Sequence, residues 1–148
     1  MNMIWLENLT ISINFKILGV EHVAIAVNDF EKLSFFFDLL PGLSEYSEEL
    51  VEKQNIITRI YNTGSGKIEL LKENAKPSPI SNFLNKREGI HHIAIRVDNL
   101  YNAINHLRNN EIEFTMKEPE IGADNMLIIF IHPSFTPGVL IELCQKIS

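Results

Sequence analysis

Four residues of the kinds that hold metal ions recur in this chain at matched places. His22 and His92 each head an alternating apolar strand, in GVEHVAIAVNDF (residues 19–30) and GIHHIAIRVDNL (residues 89–100), two versions of one string offset by 70 positions. Glu69 in KIELL and Glu142 in LIELC each lie inside an apolar strand, 47 positions after His22 and 50 after His92. Imidazole suits Zn, Co, Ni, Mn or Fe, and carboxylates make such a site harder and better matched to oxygen-bearing substrates. A glutamate between Ile and Leu is costly to bury unless it is paired or metal-bound. Singly, each of the four reads as a satisfied polar group or a rim residue. As two matched pairs related by a pseudo-two-fold axis, they read as one metal site shared between two halves.

The elements that must carry these residues follow from periodicity. His22, Ala24 and Ala26 share one strand face and Val23, Ile25 and Val27 the other, so the Val/Ile face is core and the small alanines leave room beside the histidine. Asn28-Asp29 then caps a helix with Phe30, Leu33, Phe37 and Leu40 on one side, ended by Pro41-Gly42. The second half repeats this with His92, Ala94 and Arg96, the cap Asp98-Asn99, and Leu100, Ala103, Ile104 and Leu107 before Asn109-Asn110. Strands are expected next over residues 43–50, 56–62 and 67–72, with a hairpin turn at 63–66, and over 111–115, 127–132 and 139–145. A Pro-, Ser- and Asn-rich connector spans residues 74–88, with a short helix after Pro79. The expected fold is α+β: two tandem βαβββ modules, about residues 17–73 and 89–146, forming one curved, cup-like mixed sheet with helices outside. They make one domain, 17–146, after a leader, 1–16, that is either an edge strand or unstructured.

Composition narrows the class. Hydrophobic residues at 45% suffice for a core, and 22% charged residues argue against disorder. A net charge of −6 argues against a nucleic-acid partner. The single cysteine, Cys144, excludes an internal disulfide and suits a reducing, cytoplasmic setting. No apolar run is long enough to span a membrane, and the start lacks the basic region and cleavage site of a signal peptide.

Other polar residues carry less. His91 pairs with Glu21 in the repeat and, by strict alternation, faces away from the site. His106 reads as solvated, His132 as a structural hydrogen-bonding residue, and Cys144 as a packing thiol on the face of Glu142. Phe35, Phe36 and Phe37 read as helix core plus an interface.

Taken together, HVAIAVNDFEK, KIELLKENAKPSPISNFL, GIHHIAIRVDN, EPEIGADN, FIHPS and GVLIELCQ resemble the vicinal oxygen chelate superfamily, and within it the methylmalonyl-CoA epimerases, over about residues 17–146. HVAIAV alone is shared across the superfamily, whereas the combination is specific. The resemblance implies a divalent metal on His22, His92, Glu142 and Glu69, with cobalt expected and Mn²⁺, Ni²⁺ or Zn²⁺ as alternatives. It implies interconversion of (R)- and (S)-methylmalonyl-CoA by removal of the α-proton through a metal-stabilised enolate, and a homodimer that takes a small acyl-CoA substrate.

Glu142 is the expected acid/base. Some epimerases place a second catalytic glutamate three residues after the glycine of an EQG string. Here the stretch reads EKQNIIT and the matching residue is Thr58, which cannot act as a base at neutral pH. Repeat symmetry makes Glu69 the substitute. Met126 and Ser134 stand where lysines are common in the family, so acyl-CoA recognition here lacks those cations. The alternatives are a glyoxalase I-type lactoylglutathione lyase, or another metal-dependent enzyme of the superfamily, and a non-catalytic small-molecule-binding resistance protein. An extradiol dioxygenase needs two histidines and one glutamate around Fe(II), so a ligating Glu69 argues against it.

Overall fold

The pattern of small and branched residues in the first repeat string builds the strand on which the sheet is centred. In the computed structural model, which describes residues 13–148, this is β1, Ile17–Ala26, and its repeat is β5, Gly89–Val97. The remaining strands are β2 (Ser47–Val51), β3 (Ile56–Asn62), β4 (Lys67–Glu73), β6 (Glu120–Ile121), β7 (Met126–Phe130) and β8 (Leu140–Lys146). The helices are α1 (Glu31–Asp38), α2 (Ser81–Leu84) and α3 (Leu100–Asn109). One eight-stranded mixed sheet results, in the order β2-β3-β4-β1-β5-β8-β7-β6. The two modules meet along β1 and β5, which run antiparallel, and each of these pairs in parallel with the last strand of its own module.

Alternation sorts the strand residues onto two faces as expected. The outer face carries Val27, Tyr61 and Leu70 against Phe30 and Phe37 of the first module, and Val97, Ile129 and Leu143 against Leu100, Ala103 and Ile104 of the second. Burying each of these large apolar side chains stabilises the fold by roughly 1.5–3 kcal/mol, which fixes the sheet's curvature against α1 and α3. The inner face carries Ala24, Ala26, Ile56 and Leu71 on one side and Ala94, Met126, Ile128 and Cys144 on the other. Capping follows the sequence in α3, where Asn99 accepts from the Asn102 amide. In α1 the Asp29 carboxylate instead accepts from the Glu31 amide at 3.0 Å.

Three local expectations change. Residues 111–115 form no strand; only Phe114 bridges to Ile131, and the short β6 lies further on. Glu111 takes a positive φ of 63°, which breaks extended pairing where α3 ends. The connector helix α2 packs Phe83 and Leu84 on the inner-face cluster rather than outside, because Phe83 and Leu84 are its apolar residues. Residues 1–12 of the expected leader lie outside the described residues. Its last part, however, is docked: Phe15 packs against the second module's core, the Lys16 amide donates to the Asp98 carboxylate, and the Asp98 amide donates to the Lys16 carbonyl. No helix among the described residues is long and apolar enough to cross a membrane.

Candidate metal centre

The sheet register explains how residues far apart in sequence meet. Across the antiparallel β1–β5 pair, His22 stands opposite Ala94 and Ala24 opposite His92. On the flanks, Ala24 pairs with Glu69 and Ala94 with Glu142. The two reciprocal pairs are the pseudo-two-fold axis inferred from the repeat. Four adjacent strands therefore present Glu69, His22, His92 and Glu142 in a row, with fully buried alanines between them. A larger side chain at Ala24 or Ala94 would fill the space the row encloses.

The geometry is tight. His22 Nε2 lies 3.1 Å from His92 Nε2, and the Glu142 carboxylate is 3.3 Å from the latter and 3.9 Å from the former. One donor atom from each of His22, His92 and Glu142 falls within 4.8 Å of the others. Glu69 stands on the other edge of the His22 ring, its Oε1 at 3.5 Å from Nδ1. It lines the same cavity but lies outside that three-residue cluster. Met126, Ile128 and Phe130 wall the cavity on one side and Ile56 and Leu71 on the other, with Gln54 and Thr58 among its polar atoms. Gly122 lines it too; a Cβ there would approach Ile128 Cδ1 to 2.9 Å.

The protonation states suit a cation. Burial pushes His22 and His92 down to about 4, so both rings are neutral at pH 7. Burial pushes Glu142 up to about 7, and burial together with the nearby Glu142 charge pushes Glu69 up to about 8. Two buried atoms of the cluster, His22 Nδ1 and Glu142 Oε1, have no hydrogen-bond partner. Neutral imidazoles, buried carboxyls and an orphaned carboxylate oxygen are the donor chemistry that a divalent ion satisfies, and the residues present fit it.

The bland assignments were sound for His132, whose Nδ1 bonds the Ser134 hydroxyl and amide in a short turn, and for Cys144, buried with its thiol donating to the Ile95 carbonyl. His106 is half-buried against Phe15 rather than solvated. Met126 is buried in the inner face, where it makes part of the cavity wall apolar. His91 departs most from the sequence reading. A β-bulge leaves it as the extra residue between Ile90, opposite Ile25, and His92, opposite Ala24. The bulge turns it to the same side as His92, where the two Nδ1 atoms lie 2.8 Å apart. A matching bulge sits at Glu21, between Val20 and His22. The available signal was a pair of polar residues two positions after a glycine in both copies; Gly19 and Gly89 take φ of 131° and 139°.

Glu21 is buried and paired with Lys67 at 2.7 Å and Arg96 at 3.2 Å. Lys67 also holds Asp124 at 2.5 Å, and the Asp124 amide donates to Glu49. The turn carrying Gly122 is thereby tied across the cup to the first module.

Comparison with known proteins agrees with this architecture. Residues 21–130 match the Glyoxalase/Bleomycin resistance protein/Dioxygenase superfamily. The mitochondrial methylmalonyl-CoA epimerase of Homo sapiens is 40% identical over 85% of this chain and 73% of its own. The chain belongs to the methylmalonyl-CoA epimerase family of that superfamily. An ethylmalonyl-CoA/methylmalonyl-CoA epimerase of Cereibacter sphaeroides is 35% identical over 85% of this chain and 96% of its own. The crystal structure of methylmalonyl-CoA epimerase from Mycobacterium tuberculosis superposes with a TM-score of 0.82 at 30% identity, covering 89% of this chain and 90% of that one.

Proposed function

We propose that this chain interconverts (R)- and (S)-methylmalonyl-CoA, with His22, His92 and Glu142 holding a divalent cation and Glu69 completing the set. The observation that carries this is the convergence of those four residues on adjacent strands in a chain akin to named epimerases over 85% of its length. Two histidines and one carboxylate would also suit iron-dependent oxygen chemistry; the kinship favours proton transfer. A cation bound there supplies a Lewis acid for the substrate's thioester and carboxylate oxygens.

The chain's own residues do the rest. Epimerisation removes a proton from one face of a carbon and returns one to the other, which takes a base and an acid. Among the described residues lining the cavity, Glu69 and Glu142 alone carry carboxyls. They stand at the two ends of the row with the histidines between them, so each reaches the substrate carbon from its own side. The reaction runs in both directions, and their roles exchange with its direction. Thr58 lies in the same wall, buried, and its hydroxyl adds no base. The apolar walls keep bulk water from the carbanion, and the Gln54 amide is available to the substrate's free carboxylate, with no lysine or arginine among the described lining residues.

Cobalt is the proposed ion, with manganese, nickel or zinc as alternatives. The same reading includes a single domain over about residues 17–146, a cytoplasmic location and a homodimer. Phe35 and Phe36 of α1 and Leu39 just after it, all exposed, supply an apolar face for the dimer. The test is to incubate a single epimer of methylmalonyl-CoA with the metal-loaded protein and follow its stereochemistry. Conversion to an equal mixture supports the reading, and retention of the starting epimer contradicts it.

A further inference from the structure

We propose that His91 is the positioning residue for the metal ligand His92, delivered to that role by the β-bulge in β5; the proposal rests on the metal-centre reading above. His92 offers Nε2 to the cluster, where it meets His22 Nε2 at 3.1 Å and Glu142 at 3.3 Å. A nitrogen that binds a cation carries no proton, so the ring's hydrogen belongs on Nδ1. The atom facing that Nδ1, at 2.8 Å, is His91 Nδ1. His91 therefore accepts through Nδ1 and keeps its own hydrogen on Nε2. The same tautomer lets His92 Nε2 accept from His22 in the metal-free protein.

A strand without a bulge would send adjacent side chains to opposite faces. The extra residue cancels that alternation and puts both imidazoles on the inner side. Phe83 of α2 holds the His91 ring edge-on, with centroids 5.2 Å apart, so the acceptor is itself fixed. The other copy shows that a bulge alone does not do this. Glu21 occupies the equivalent place but is drawn to Lys67 and Arg96, and His22 Nδ1 has no hydrogen-bond partner. The two ligand histidines are thus supported differently, and a partner that fixes a ligand's tautomer typically changes metal affinity about 10–100-fold.

The test compares Co²⁺ affinity of the full chain with that of His91→Phe, which keeps a ring against Phe83 and removes the acceptor, and His91→Asn, whose Oδ1 stands near the lost Nδ1. The expected result is about a 10–100-fold weaker affinity in His91→Phe and a substantial recovery in His91→Asn. Equal affinities in wild type and a folded His91→Phe overturn the proposal and leave the metal centre standing; absence of Co²⁺ binding by wild type overturns both. Long-range ¹H–¹⁵N spectra of the metal-free wild type give a reading that needs no variant. His92 protonated on Nδ1 and His91 on Nε2 is expected, and the reverse assignment overturns the proposal even if His91→Phe does not fold.

Discussion

Loading the metal-free protein with Co²⁺ should expel protons, in a number set by the buried carboxyls. At pH 6.5 Glu142, held at about 7, keeps about 0.8 of a proton, and Glu69, at about 8, keeps nearly a whole one. His22 and His92, at about 4, keep essentially none. Ligands bind as carboxylates and neutral imidazoles, so filling the site releases about 1.7 protons at pH 6.5 if both carboxylates ionise. At pH 9 both are already ionised, and release falls to about 0.1. Isothermal titration calorimetry in buffers of different ionisation enthalpy counts these protons directly. A value near 0.8 at pH 6.5 would mean that Glu69 stays protonated beside the ion and enters the reaction as the acid. Proton release equal at pH 6.5 and 9 would refute the reasoning, because burial would then not be holding protons on these carboxyls.

Three further outcomes follow from the same geometry. Glu142→Gln removes one acid/base and one charged ligand, so kcat/KM should fall by at least about 10²–10⁴-fold, with Co²⁺ affinity also reduced; steady-state kinetics at saturating metal separate the two losses, and unchanged kcat contradicts the role. In the metal-free protein the unfolded chain binds three histidine protons, on His22, His91 and His92, below about pH 6.5 that the folded state refuses, while the folded state holds two carboxyl protons above about pH 4.5 that the unfolded chain releases. Two of the three cancel between pH 4.5 and 6.5 and one remains, so stability to urea should rise by roughly 2 kcal/mol over that range. Above 6.5 the carboxyl contribution dominates, and stability should fall by roughly 1–1.5 kcal/mol by pH 8; a rise between pH 6.5 and 8 contradicts the assignment. Lys67→Met leaves the buried Glu21 with only Arg96 and unties Asp124, which should cost toward about 3 kcal/mol, whereas Lys146→Ala, at a half-exposed pair, should cost less than about 1 kcal/mol in the same urea titration.

Much of the site was legible because its parts obey simple periods. The period of two placed His22 with Ala24 and Ala26, and Glu142 with Cys144, on what proved to be the inner face. The repeat offset then supplied the two-fold relation that the reciprocal pairing of His22 with Ala94 and Ala24 with His92 makes explicit. Alternation fails where the backbone gains a residue. His91 was placed on the wrong face because a bulge depends on how two strands pair, which no single strand encodes. Residues 111–115 read as a strand by their apolar content, yet Glu111 at positive φ ends α3. The tie between Lys67 and Asp124 joins residues 57 positions apart through the closing turn, and such a contact exists only once the cup has formed.

Epimerisation at this metal centre requires removal of the proton from the substrate's α-carbon. Proton NMR of methylmalonyl-CoA in D₂O tests it most directly, using metal-free protein before and after Co²⁺ is added. The α-proton signal should be lost only after metal is added, and little of it should be lost with the Glu142→Gln variant. A folded, Co²⁺-loaded wild-type protein that leaves the α-proton signal intact would contradict it.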